Sequence, residues 1–267
     1  MNFVIGTFNL RVDLPQDGEN SWQNRAGKVS EIIHAHQPLV FGAQEALIHM
    51  IRDLEADLPD YQWFGEGRKG GMADEFCPVF YNVKQLDCVK WGQFWLSEQP
   101  NVPGSISWKS DFPRICTWGH FRFKQESFKE FVVYNTHLDH VSSLARENGI
   151  SLIGEKLSSH YLNNKIPALL IGDLNSKPSD KVIKFLRGIL SLNGLTVDLK
   201  DAYKGIDRQP GRTFHKFEGG TAGEPIDYIF CTKEFEIINT KIDRSSIKGS
   251  YPSDHYPLMT TVAVKSL

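Results

Sequence analysis

Leu169-Leu170-Ile171-Gly172-Asp173-Leu174-Asn175 is an apolar run that ends in glycine and then delivers an acid and an amide two positions apart. The run reads as a buried strand, and in an extended segment Asp173 and Asn175 project from one face. An aspartate beside an asparagine suits a single water molecule. The carboxylate takes its proton and the amide steadies an oxyanion. An Asx turn accounts for Asp173 equally well, but it does not require Asn175.

Other apolar runs end in the same way. Thr7-Phe8-Asn9-Leu10 closes the first, and a buried Asn9 needs hydrogen-bond partners. Gly42-Ala43-Gln44-Glu45 closes the second, where Glu45 reads either as a charge at a helix N-terminus or as a ligand for a hard cation. A third run, Val132-Val133-Tyr134-Asn135-Thr136-His137, leads directly into a histidine. Asp227 opens the apolar segment 226–231, where a buried acid needs a partner that a histidine would supply. Ser253-Asp254-His255-Tyr256-Pro257 precedes the final apolar run. Pro252 and Pro257 suggest a turn that aims Asp254 and His255 at one site, and a plain polar turn is the alternative.

The spacing predicts strands at 3–8, 39–43, 61–64, 78–81, 86–96, 115–123, 130–136, 168–171, 226–231, 236–242 and 258–264. Helices are expected through Trp22, Ala26, Val29, Ile32 and Ile33 (capped by Asn20 or Ser21), through Ile48, Ile51 and Leu54, over 144–161, and over 179–190 after Pro178. Trp22, Trp91, Trp95 and Trp118 read as core, while Trp108 sits in an irregular stretch and offers a face for stacking a base. That stretch, 97–113, and a second at 204–225 are the long loops, and such loops tend to be functional. Strands with inserted helices suggest two packed sheets with helices outside.

The 267 residues are 40% hydrophobic, enough for one large domain over 1–267, and the formal charge is −2. No block of like charge suits a long duplex. The four cysteines form no C-x-x-C, and nothing resembles a signal peptide or a membrane span. The expected compartment is the cytoplasm, and no protein partner is inferred.

Asn9, Glu45, His137, Asp173 with Asn175, Asp227, and Asp254 with His255 follow the order and phrasing of one superfamily. The chain resembles the endonuclease/exonuclease/phosphatase (DNase I-like) proteins. Phe94-Trp95-Leu96-Ser97 and Pro113-Arg114-Ile115-Cys116-Thr117-Trp118 resemble a bacterial branch near the CCR4/nocturnin-like exonucleases. The resemblance implies an α/β (α+β) fold, a four-layer αββα sandwich of two mixed sheets with helices on both outer faces. It implies a metal-dependent hydrolase of phosphate esters. Glu45, Asn9 and Asp254 would hold Mg²⁺, with Mn²⁺ as a substitute. Asp173 would activate water, Asn175 and His137 would contact phosphate, and His255 would bind or protonate it while held by Asp227. Arg114, ending a loop, can fork onto a phosphate. Arg11 stands where some nucleases carry a second acid, which speaks against a second metal ligand there. The expected activity is a nuclease on single-stranded RNA or a nucleotide, such as a 3′–5′ exonuclease. The alternative is a phosphodiesterase or phosphatase for small molecules or lipids, inositol-phosphate- or sphingomyelinase-like.

Overall fold

The computed structural model describes residues 2–126, 129–164, 166–206 and 209–264. Twelve strands form two mixed six-stranded sheets among these residues. The first has the order β11 (Phe235–Ile242), β12 (Leu258–Val264), β1 (Asn2–Asn9), β2 (Val40–Gln44), β4 (Val79–Asn82), β3 (Tyr61–Phe64). The second runs β5 (Leu86–Trp95), β6 (Ile115–Phe123), β7 (Glu130–His137), β8 (Ala168–Asp173), β10 (Asp227–Cys231), β9 (Lys200–Asp201). Each sheet has one parallel pair, β1 with β2 and β7 with β8, amid antiparallel neighbours.

Helices α1 (Trp22–His36) and α2 (Ile48–Asp57) cover the first sheet through Trp22, Val29, Ile33, Met50 and Leu54. Helices α3 (Ser143–Asn164) and α4 (Lys181–Leu186) cover the second through Ile150, Ile153, Ile183 and Phe185. The four-layer sandwich expected from the sequence is therefore the fold. No helix among the described residues is long and apolar enough to cross a membrane.

Strand alternation sorts the side chains. In β1, Phe3 and Ile5 join the core that includes the inner faces of both sheets, and Phe8 joins the core beneath α1 and α2. Asn9 shares the parity of Phe3 and Ile5, so it emerges in the seam between the sheets. Register carries the rule across the second sheet: His137 pairs with Asp173, and Asp173 with Asp227. Three functional side chains thus line up along one face. Gly172 is essential to this edge. Its φ is 147°, and a Cβ there would lie 2.0 Å from the Thr136 carbonyl oxygen.

A buried polar staple joins the sheets just below that edge. Asn135 Nδ2 in β7 donates to the carbonyls of Ala43 and Pro78, each at 2.9 Å, and Gln44 Nε2 donates to Asn135 Oδ1 at 2.7 Å. Gly42 makes room, because a Cβ there would meet the Asn135 carboxamide at 2.4 Å.

Several elements differ from the sequence expectation. Helix α4 has six residues rather than twelve. Asp180 accepts from the Lys177 amide in a preceding turn, and Gly188 in the left-handed region (φ 71°) ends the helix. The two-residue β9 carries no periodic signal. Trp91 is not core: it is 42% exposed on the edge strand β5, stacked on Phe64.

Truncating the staple should be costly, because Asn135→Ala removes three buried hydrogen bonds between the sheets and leaves a void, although Pro78 O keeps the Ala43 amide and Gln44 Nε2 keeps Thr7 Oγ1. A loss of about 2–4 kcal/mol is expected, read as a lower urea midpoint at unchanged slope. A midpoint within error of the wild type would show that the staple contributes nothing.

Candidate active site

The site lies at the carboxyl ends of both parallel pairs, where the strands of each sheet deliver Asn9, His137 and Asp173. Loops add Glu45, Asn175, Asp254 and His255. Arg11, Glu45, Arg114, His137, Asp173, Asn175, Asp254 and His255 line one cleft of about 490 Å³. The residues that carry the family resemblance converge here together with Arg114, with Asn9 and Asp227 buried directly behind the lining.

Asn9 holds the arrangement together. Its Nδ2 donates to Glu45 Oε1 at 2.9 Å and to Asp173 Oδ2 at 3.0 Å, while its Oδ1 accepts from the Arg11 amide. Glu45 Oε2 accepts from the Val12 amide at 2.9 Å. Glu45 therefore does not serve the first turn of α2, which begins at Ile48. Three residues around Asn9 and Asp173 adopt left-handed backbone: Arg11 (φ 58°), Glu45 (φ 57°) and Asn175 (φ 44°). Such strain persists only where the surroundings impose it.

Asp173 ends β8, but Asn175 reaches the cleft by a turn, not by the strand alternation expected from the sequence. The Asn175 amide donates to Asp173 Oδ1 at 2.9 Å, which is the Asx-turn geometry. Asn175 Nδ2 then donates to Leu138 O at 2.9 Å and lies 3.0 Å from His137 Nε2. Both amide hydrogens are spent, so Asn175 offers the cleft its carbonyl oxygen in this arrangement. His137 Nε2 is an acceptor here, which puts the ring proton on Nδ1.

The two histidines titrate in opposite directions. Burial, followed by the charges of Arg114 and His255, pushes His137 well below the usual imidazole range. His255 is also buried, and burial works against its charge. The charge of Asp227 and its hydrogen bond to Nδ1 at 2.9 Å outweigh burial, with help from Asp173 and Asp254, and lift His255 to about 10. Asp173 is raised by burial and by the neighbouring Asp227 charge, against the His255 charge and its two amide hydrogen bonds. It is therefore a stronger base than an ordinary aspartate. The other oxygen of Asp227, Oδ1, is buried without a partner among the described residues.

Two groups present metal-ligating chemistry. Ligand atoms of Asp173, Asp227 and His255 lie within 4.8 Å of one another. That trio is already hydrogen-bonded internally through His255 Nδ1, so it fits a proton relay better than a cation site. Glu45 and Asp254 instead present carboxylates to the cleft. Asp254 is raised by burial, with the Glu45 charge adding to it against His255. An oxygen-only donor set of two carboxylates, only partly countered by Arg11 4.0 Å from Asp254, fits a hard divalent cation.

Sequence reasoning missed Arg68 and Glu75, which also line the cleft. They lie in a hairpin between β3 and β4 with no strand-end signature. Trp108, offered as a base-stacking face, is not part of the cleft wall.

Comparison with known proteins follows this geometry. The profile of the endonuclease/exonuclease/phosphatase family matches residues 6–255. An endonuclease/exonuclease/phosphatase family protein from Bacteroides thetaiotaomicron is similar in structure, with 30% identity, a TM-score of 0.90, and coverage of 100% of this chain and 96% of that one. A mannosyl-6-phosphatase of the same organism gives 29% identity and a TM-score of 0.89, covering 98% of this chain and 99% of that one. The human nocturnin catalytic domain shares the fold at 20% identity, with a TM-score of 0.75 and coverage of 99% and 94%. No curated protein sequence matches significantly.

The Asp227 contact is the main reason for the raised titration of His255. In metal-stripped Asp227→Asn protein, the His255 ring followed by NMR should lose its proton well below pH 10. An unshifted titration would show that Asp227 does not hold the charge.

Proposed function

Because the chain belongs to the endonuclease/exonuclease/phosphatase family of phosphoester hydrolases, we propose that it is a Mg²⁺-dependent phosphatase of small phosphomonoesters. The observation that carries this reading is the cationic lining of the cleft. Buried Arg114 and a protonated His255 face the same confined space as the carboxylates of Glu45 and Asp254. A phosphomonoester is dianionic near neutral pH, and its terminal oxygens call for several fixed donors. The likeness to the mannosyl-6-phosphatase over nearly the full length of both chains supports the same reading.

Each residue has work in this scheme. Glu45 and Asp254, with Asn9 beside them, would hold the cation, which supplies neutralisation of charge on the phosphate oxygens. Asp173 draws a proton from the attacking water as its oxygen bonds to phosphorus. His255 gives a proton from Nε2 to the leaving oxygen as the phosphorus–oxygen bond breaks, and Asp227 keeps the ring oriented through Nδ1. Arg114 Nε is buried without a hydrogen bond, 4.0 Å from Asp139 Oδ1, and Nη2 lies 3.1 Å from His140, so the guanidinium can still turn donors to a phosphate oxygen. Neutral His137 receives Asn175 and holds the far side of the phosphate pocket.

A nuclease on single-stranded RNA or a nucleotide is the second reading. It is favoured by Phe214, which is 37% exposed in the cleft wall with its ring 4.9 Å from His255, a surface on which a base can stack.

Asp173→Asn should keep the fold and lower kcat by about 10²- to 10⁴-fold, as loss of a general base does. EDTA should silence the wild type and Mg²⁺ restore it. A panel of hexose phosphates, p-nitrophenyl phosphate, its bis-ester and RNA oligonucleotides decides the substrate. Faster cleavage of the diesters or RNA would replace the phosphatase reading with the nuclease one.

A further inference from the structure

One wall of the cleft has no part in the chemistry above. Arg68 and Glu75 face each other across the hairpin between β3 and β4, with Arg68 Nη2 2.9 Å from Glu75 Oε1. The hairpin is tightly built. The Arg68 amide donates to Glu75 O at 2.8 Å, and buried Trp95 donates from Nε1 to Arg68 O at 2.6 Å. Asp74 supplies a second carboxylate 2.8 Å from Arg68 Nε. The Arg68 guanidinium also rests 4.5 Å from the centre of the Phe112 ring, and that ring lies 5.9 Å from the Arg114 guanidinium. The pair is thus fixed beside the residue that serves the phosphate.

Three kinds of leaving group make different demands on such a wall. A second anion needs an excess of donors, but Arg68 is already balanced by two carboxylates. A flat base needs an open aromatic face, and Phe112, although 39% exposed, already carries the Arg68 guanidinium at 4.5 Å and stacks with His140 at 6.1 Å. A polyol needs donors and acceptors side by side, because every hydroxyl is both. Arg68 with Glu75 supplies both at a spacing suited to neighbouring hydroxyls. Glu75 meets Arg68 through Oε1, so Oε2 is the oxygen turned to a hydroxyl in this arrangement.

We propose that the Arg68–Glu75 pair is the leaving-group subsite and that the leaving group it reads is a sugar. This inference rests on the phosphomonoesterase reading and adds to it the chemical class of the alcohol released. Glu75 accepts from one hydroxyl, Arg68 donates to its neighbour, and Arg114 stays with the phosphate. These are charge-assisted hydrogen bonds inside a confined site, where they discriminate strongly.

The test is a preference ratio: kcat/KM for a hexose 6-phosphate divided by that for p-nitrophenyl phosphate, which has the same phosphate and no hydroxyls. Both are measured on the Mg²⁺-loaded enzyme. The wild type should favour the sugar phosphate, and Glu75→Gln should lower the ratio about tenfold or more, the worth of one hydrogen bond to a charged group. Dividing by the second substrate removes any effect of Glu75 on the shared phosphate chemistry. Deoxyhexose phosphates tested on the wild type give the same answer with no substitution, since loss of the hydroxyl that is read should lower kcat/KM to a similar degree. A wild type that cleaves both monoesters with no preference for the sugar, or a ratio unmoved by Glu75→Gln, would overturn the subsite and leave the phosphatase reading standing. A wild type that cleaves RNA and neither monoester would overturn the phosphatase reading itself.

Discussion

Asn9 Nδ2 stands between Glu45 Oε1 and Asp173 Oδ2, at 2.9 and 3.0 Å, so one amide group holds two carboxylates that would otherwise repel each other. The two acids come from different sheets. Glu45 follows β2 of the first, and Asp173 ends β8 of the second. The same residue reaches a third segment through its backbone, because Ser253 Oγ donates to Asn9 O at 2.7 Å and so fixes the turn that carries Asp254 and His255. Every group that would handle metal, water or leaving oxygen is therefore one or two bonds from Asn9. Arg25 reinforces the joint from beneath. It is fully buried, and its guanidinium donates to the carbonyls of Leu10, Arg11 and Pro252.

That joint works only if the two sheets keep a fixed separation at this edge. Apolar packing alone does not specify it, since hydrophobic contact is non-directional. The Asn135 staple does, because three hydrogen bonds of defined length cross the seam, and Gly42 removes the side chain that would force the sheets apart. The left-handed backbone at Arg11, Glu45 and Asn175 is the corresponding cost. Each is strained in isolation, and each is held by hydrogen bonds that the joint provides.

Much of this was legible in the chain itself. An acid or amide at the end of an apolar strand has few ways to be satisfied, and period-two alternation then says which face it takes. Asn9, His137, Asp173 and Asp227 were found that way. What escaped detection depended on contacts distant in sequence. Asn175 sits in a turn whose handedness is set by hydrogen bonds to His137 and Leu138, so the extended geometry assumed for it did not hold. Helix α4 stops early because Gly188 packs against Val197 and Asp198, contacts its own periodicity cannot reveal. Arg68 and Glu75 belong to a hairpin of mixed composition and reach the cleft only because Trp95 and Phe112 place them there.

The two buried histidines show how the scaffold sets chemistry by neighbours rather than by residue type. His137 and His255 are almost equally hidden and open on the same cleft. Burial alone would leave both neutral. His255 has Asp227 behind it and carboxylates on either side, which favour its charged form. His137 faces Arg114 and the charged His255 itself, so it gives its proton up and serves as an acceptor. The protonated ring thus helps to discharge the other one. A pocket with one imidazolium and one imidazole offers one ring that can give a proton and one that can only take a hydrogen bond at Nε2. Both rings adjoin the same oxygen of Asp173, His137 Nε2 at 3.5 Å and His255 Nε2 at 3.8 Å, so that carboxylate sits between a proton donor and an acceptor.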